Sequence, residues 1–249
     1  MVNNTQYIIA LIDRSGSMSG KEEDTIGGIN TMLHELKNDK KDNEEIFVTI
    51  KLFDHELITL IENIKINDVA LLKCSDFKPR GQTALVDSLG LTLQEVISKK
   101  RRNILFYNSC LIYVCTDGLE NASNSFTKED VKKLIKDASE EQVNVLYLGA
   151  NQDSFLEAQT LGINLEGVMN YHECSDTVRS AFASVAQAAT RTRSLGVEPS
   201  FTKAERESSQ SISQSISQPI NARPPLLRRQ TDIALSTIPP QIKKTKSYA

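Results

Sequence analysis

Three short, predominantly apolar runs, at 6–12, 109–116 and 143–149, constrain this chain more than any other feature. A strand with one wet face alternates apolar and polar residues, whereas a strand covered on both faces is apolar at successive positions. None of the runs approaches the roughly 18 apolar residues of a membrane-spanning helix. Between them lie stretches with helical periodicity. Ile26, Ile29, Leu33 and Leu36 mark one face of 21–38, and Leu85, Leu89, Leu93, Val96 and Ile97 mark one face of 84–99. Val178, Ala181, Phe182, Val185, Ala186 and Ala189 do the same for 175–195. Helices are also expected at 128–142, where Thr127 and Asp130 have N-cap spacing, and at 152–161. This alternation predicts an α/β domain with a doubly wound, mainly parallel sheet. The runs 46–53 and 56–61, separated by Asp54 and His55, predict a hairpin that adds one antiparallel edge strand. A short last strand at 168–169 and a short helix at 69–73 complete the expected elements.

Two of the apolar runs end in an acid. Residues 6–12 lead into Asp13-Arg14-Ser15-Gly16-Ser17, and residues 109–116 lead into Asp117-Gly118. In a doubly wound sheet, ligands bind outside the carboxyl ends of the strands, where the strand order reverses. Thr83 lies just before the helix at 84–99. If the two strands are neighbours, Asp13, Ser15, Ser17, Thr83 and Asp117 converge on one crevice. Five oxygen-bearing side chains suit Mg²⁺ or Mn²⁺ far better than zinc or copper. Taken alone, Asp13, Ser15 and Ser17 equally suit a turn that caps the next helix.

Together these residues resemble the metal-ion-dependent adhesion site of von Willebrand factor type A (VWA) domains. Asp13-x-Ser15-x-Ser17, then Thr83, then Thr116-Asp117-Gly118 follow that motif in order. Gly81-Gln82-Thr83-Ala84-Leu85 is similar to the family's G-x-T-x-L segment. Thr-Asp-Gly-Leu-Glu-Asn-Ala-Ser at 116–123 is similar to intracellular members of bacterial or phage type. The resemblance covers residues 5–195. It implies a Rossmann-like VWA fold in which Ser15, Ser17 and Thr83 contact the metal, with Asp13 and Asp117 holding it partly through water. It further implies an open metal position that a partner's Asp or Glu fills, and hence an adaptor for protein–protein interaction.

An enzyme has less support in the sequence. A strand-end aspartate acting as a nucleophile, as in phosphotransferases of the haloacid dehalogenase type, has a second Asp two residues on as general acid. Here that position is Ser15, and a hydroxyl is a poor proton donor. No G-x-x-x-x-G-K-[S/T] or G-x-G-x-x-G follows a strand. His34, His55 and His172 are scattered, and His172 with Cys174 supplies two metal ligands without partners. The expectation is a non-enzymatic module, with a Mg²⁺-dependent hydrolase as the remaining catalytic alternative.

Composition bears on domain limits and surroundings. Residues 199–249 carry eight Lys/Arg against three Asp/Glu, whereas residues 1–198 carry 21 against 29. The later segment includes a Ser/Gln/Ile repeat and two Pro-Pro pairs, a composition that cannot offset the entropy of ordering. The expected division is therefore a domain at 1–198 and a disordered basic tail at 199–249. An acidic body disfavours nucleic-acid binding, although the tail leaves an RNA- or membrane-associated role open. Within the tail, Arg228-Arg229-Gln230-Thr231 resembles a basophilic kinase site, and Lys243-Lys244-Thr245-Lys246 a short basic address. Cys74, Cys110, Cys115 and Cys174 form no CxxC pair, which fits a reducing compartment. The first residues show no signal-peptide pattern, so an intracellular, cytoplasmic location is expected.

Overall fold

Because side chains alternate across a strand, an apolar run must find a covered surface on each side. The computed structural model, which describes residues 4–150 and 154–211, shows how this is met. Strands β1 (Asn4–Asp13), β2 (Glu44–Phe53), β3 (Leu57–Lys65), β4 (Ser109–Thr116), β5 (Val143–Gly149) and β6 (Val168–Asn170) form one sheet in the order β3-β2-β1-β4-β5-β6. All pairings are parallel except the β2–β3 edge hairpin. Helices α1 (Glu22–Asp39) and α5 (Ser175–Leu195) pack on one face. Helices α2 (Leu85–Arg101), α3 (Lys128–Glu140) and α4 (Ser154–Thr160) pack on the other.

The two central strands show the rule directly. Ile8, Ala10 and Ile12 of β1 join Leu111, Tyr113 and Cys115 of β4 in the core under α1 and α5. Tyr7, Ile9 and Leu11 join Cys110, Ile112 and Val114 in the core under α2 and α3. Both Cys110 and Cys115 are free, buried thiols; Cys110 packs as an apolar group, and Cys115 Sγ hydrogen-bonds with the Tyr171 hydroxyl at 3.6 Å. Among the described residues no helix is long and apolar enough to cross a membrane.

The amino ends of the strands are held by a buried ion pair. The Arg193 guanidinium donates to Glu44 Oε2 at 2.8 Å and to Gln6 Oε1 at 2.9 Å, and Gln6 Nε2 donates to the Ala189 carbonyl. The end of α5 is thereby fixed to β1 and to the start of β2. At the opposite end, the strand order reverses between β1 and β4, which places the crevice of a doubly wound sheet at Asp13 and Asp117.

Several expectations need correction. The hairpin turn has three residues, Asp54, His55 and Glu56, with the Glu56 N–H bonded to Asp54 Oδ1 at 2.7 Å. Residues 69–73 are not helical. That stretch lies between 3₁₀ turns at Ile66–Asp68 and Cys74–Asp76, and the Lys37 ammonium and Asn30 amide take up the Val69 and Leu72 carbonyls. Residues 199–211 are not part of a disordered tail. Helix α6 (Lys203–Ser208) starts at a Thr202/Glu205 capping box, and Phe201 is buried in the α1/α5 core. Arg191 forms a two-pronged pair with Glu205, and the Ser209 carbonyl accepts the His172 N–H. The kinase-like site at Thr231, the basic cluster at 243–246 and the expected disorder from 212 onward lie outside the described residues.

Candidate metal centre

The five residues singled out in the sequence do come together. Asp13 ends β1 and is fully buried, and its two oxygens are held by the turn that follows β1 and by β4. Oδ1 accepts the Ser15 N–H at 2.6 Å, and Oδ2 accepts the Thr116 hydroxyl of β4 at 2.6 Å. The first bond folds the chain sharply after β1, so Ser15 and Ser17 both turn back over the sheet edge. Their hydroxyls lie 3.0 Å apart, and Ser17 donates to Asp117 Oδ1 at 2.6 Å.

Thr83 reaches the same place through two neighbouring loops. The Arg80 N–H bonds to the Arg14 carbonyl and the Gly16 N–H to the Gly81 carbonyl, zipping the Thr83 loop to the Ser15 loop. Gly81 has φ +69°, and His55 packs against it so closely that a Cβ would sit 2.3 Å from Nδ1; only glycine suits this turn. On the other side, Asn121 clamps Thr83 by accepting its N–H at 2.9 Å and donating its own N–H to the Thr83 carbonyl.

The loop after Asp117 is fixed by the unmet donors of α2. No side chain of the residue at its N-cap position, Ala84, can cap this helix. Instead Glu120 accepts the Val86 N–H and Ser123 Oγ accepts the Asp87 N–H. In return the Asp87 carboxylate accepts the N–H groups of Asn124, Ser125 and Phe126. The start of α2 and the 117–126 loop are thus one hydrogen-bonded unit, which brings Thr83 next to Asp117.

Gly118 measures the convergence. A Cβ built there would lie 3.0 Å from Thr83 Oγ1, 3.4 Å from Ser17 Oγ and 3.6 Å from Asp13 Oδ2. Oxygens from two separate segments, 13–17 and Thr83, therefore face one small space beside Asp117, which lies on a third. Asp13, Ser15 and Thr83 are buried, the Asp117 side chain is 1% exposed, and Ser17 is exposed at the mouth. Three hydroxyls and two carboxylates are a hard donor set, suited to Mg²⁺ or Mn²⁺. Burial pushes the Asp13 carboxyl above the usual carboxylate range, against the Thr116 and Ser15 hydrogen bonds; the Asp117 charge adds to the rise. A cation between the two carboxylates would relieve that opposition.

Two residues at this site had no place in the sequence reading. Lys21, at the N-cap position of α1, donates to Asp117 Oδ2 at 2.5 Å and to Glu173 Oε1 at 2.6 Å. Burial lowers the Lys21 ammonium's pKa, and the two carboxylates outweigh that and raise it. One signal was available: a cation at a helix N-terminus opposes the helix dipole, and N-caps favour Ser, Thr, Asp or Asn.

A second hard-ligand group lies nearby, formed by Asp54, His55 and Glu56 with ligand atoms within 4.8 Å of one another. It already has its cations. Arg14 and Arg80 both pair with Asp54, and Arg80 also pairs with Glu56. His172 and Cys174 belong to no group of three metal-ligating side chains among the described residues. Roomier clefts of about 420 and 510 Å³ open at the amino ends of the strands, beside Asn144 and Arg193, away from the five oxygen donors.

No protein-family model and no curated protein matches the sequence. The fold does match solved structures. The von Willebrand factor domain of the type V pili tip protein Mfa5 from Porphyromonas gingivalis aligns at 11% identity and TM-score 0.54, over 82% of this chain and all of that one. The pilus adhesin SpaC from Lactobacillus rhamnosus GG aligns at 14% identity and TM-score 0.57, over 76% of this chain and 30% of the adhesin. Proximal thread matrix protein 1 from the mussel byssus aligns at 16% identity and TM-score 0.53, over 75% of this chain and 46% of that protein. This chain thus spans less than half the length of the latter two, and what it shares with all three is a VWA-like fold.

Proposed function

We propose that this chain is a non-enzymatic protein-interaction module that holds Mg²⁺ or Mn²⁺ on Ser15, Ser17, Thr83, Asp13 and Asp117 and uses it to bind an acidic side chain of a partner. The observation that carries this reading is the convergence of hard oxygens from three loops on one space at the strand-order reversal. When bound, the ion would supply a Lewis-acidic position for a carboxylate. The chain's own residues set how strongly it does so. Two carboxylates and three neutral hydroxyls leave a divalent ion short of donors and incompletely shielded by its own ligands, so an Asp or Glu from outside completes the shell. Asp13 is held by the Ser15 N–H and the Thr116 hydroxyl, which fix the carboxylate without adding charge. Ser17, exposed at the rim, faces the side from which a partner would approach.

A binding role also fits what accompanies the donors. The position two residues after Asp13 is a serine, which leaves a nucleophilic aspartate without its acid. The loops at the site are tied down by hydrogen bonds rather than set around a deep cleft. A reducing, cytoplasmic setting suits the four free thiols, and an adaptor within a larger assembly suits a carboxylate receptor. The test is capture of partners by immobilised full-length protein from its native source, in Mg²⁺ and in EDTA, beside Asp13→Ala. Partners retained only in Mg²⁺ and only by the wild type are expected. Identical capture in EDTA, or undiminished capture by Asp13→Ala, would sink the reading.

A further inference from the structure

Lys21 places an ammonium against a carboxylate proposed to hold the metal. Its Nζ is 2.5 Å from Asp117 Oδ2, while Asp117 Oδ1 accepts the Ser17 hydroxyl at 2.6 Å. The same ammonium is 2.6 Å from Glu173 Oε1, on the segment between β6 and α5. Lysine at this position works against the helix it precedes, because α1 begins here with its unmet N–H groups and positive dipole end. The local helix therefore gives no reason for the charge, whereas the two carboxylates do. A small cleft of about 20 Å³ beside this pair is lined by Lys21, Asp24, Thr25, Tyr171, Glu173 and Val178.

We infer that Lys21 is a resident cation that competes with the divalent ion for Asp117, and that Glu173 is the seat onto which the ammonium withdraws when the ion enters. The inference rests on the metal-site reading above and adds a regulator to it. Without the ion, Lys21 neutralises one of two carboxylates that would otherwise repel each other. With the ion present, a unit positive charge on Asp117 opposes a double one a few ångströms away, an unfavourable arrangement in a partly buried site. Occupancy is then coupled to the segment that carries Glu173, and through it to the start of α5. Any partner that contacts Glu173 would change the metal affinity.

The test is calorimetric titration of Mg²⁺ alone into the full chain, comparing wild type with Lys21→Met, Lys21→Arg, Glu173→Gln and the Lys21→Met/Glu173→Gln double variant. Removing the competing charge should tighten Mg²⁺ binding about tenfold, the scale expected for one like charge near a partly shielded ion. Lys21→Arg, which keeps the charge, should stay near wild type. Glu173→Gln should weaken binding about threefold by leaving Lys21 with Asp117 alone, and this effect should vanish when Lys21 is already Met. A residue that only supports the local structure would not produce opposite signs and loss of one effect in the double variant. The inference is overturned if Lys21→Met binds Mg²⁺ no tighter than wild type, or if Glu173→Gln weakens binding equally with and without Lys21. In either case wild-type Mg²⁺ binding would leave the metal site itself standing. Failure of wild type and every variant to bind would overturn both.

Discussion

Replacing Gly118 by alanine tests the site without removing a single proposed ligand. The added methyl carbon would lie 3.0 Å from Thr83 Oγ1, 3.4 Å from Ser17 Oγ and 3.6 Å from Asp13 Oδ2. The first distance is tighter than ordinary carbon–oxygen contact, so Thr83 must retreat by a few tenths of an ångström. Gly118 does not have a positive φ, so alanine adds no backbone strain. The fold should lose less than about 1 kcal/mol, as a partly exposed loop position with one tight contact implies. The effect on an ion is larger. Mg²⁺ demands near-ideal octahedral geometry at about 2.0–2.1 Å, so a displaced Thr83 and a crowding methyl should weaken binding at least tenfold, about 1.4 kcal/mol. Mg²⁺ titration alongside urea denaturation in EDTA separates the two quantities. Unchanged Mg²⁺ affinity in a folded Gly118→Ala protein would show that the space beside Gly118 is not where the ion sits.

Other outcomes follow from the framework around the site. Arg193→Ala leaves Glu44 buried with its main counter-ion gone, and should cost about 3–5 kcal/mol in urea denaturation; a loss under about 1 kcal/mol would contradict the clamp. The Glu44 carboxyl lies below 4.5 because, although burial is the largest influence and raises it, the Lys41 N–H and the Arg193 guanidinium together lower it further. Its stabilising contribution is present above about pH 4.5 and is lost as pH falls through the folded value, so Glu44→Gln should flatten the acid limb of a stability–pH curve. Tyr113 is fully buried against Phe182 with its hydroxyl lacking a hydrogen-bond partner among the described residues. Tyr113→Phe should therefore match or exceed wild-type stability by up to about 1 kcal/mol in the same denaturation assay.

The parts of this fold legible in the sequence were those governed by local periodicity. Two-sided apolar runs identified β1, β4 and β5, and the bounds 143–149 and 175–195 match β5 and α5. The meeting of Asp13 with Asp117 could be anticipated because strand-end acids are placed by the sheet itself. What stayed hidden depends on contacts between distant residues. Lys21 lies 96 positions from Asp117 and 152 from Glu173, and such ion pairs leave no periodic trace. Averaging over 199–249 masked α6, although Thr202 and Glu205 carry capping-box spacing beside an apolar anchor, Phe201. Residues 69–73 look helical by composition, but their carbonyls are taken up by Asn30 and Lys37 of α1, which makes turns the better solution.

The most direct measurement of the central claim is Mg²⁺ titration of the wild-type chain and of Asp13→Asn, each first shown to be folded in EDTA. Asp13→Asn removes the negative charge that burial disfavours but replaces one of two hydrogen-bond-accepting oxygens, facing the Ser15 N–H and the Thr116 hydroxyl, with an amide donor, so a small net change in stability without metal is expected. Saturable one-site binding by wild type that is lost in Asp13→Asn is the predicted result. No binding by a folded wild type, or equal binding by both proteins, would contradict it.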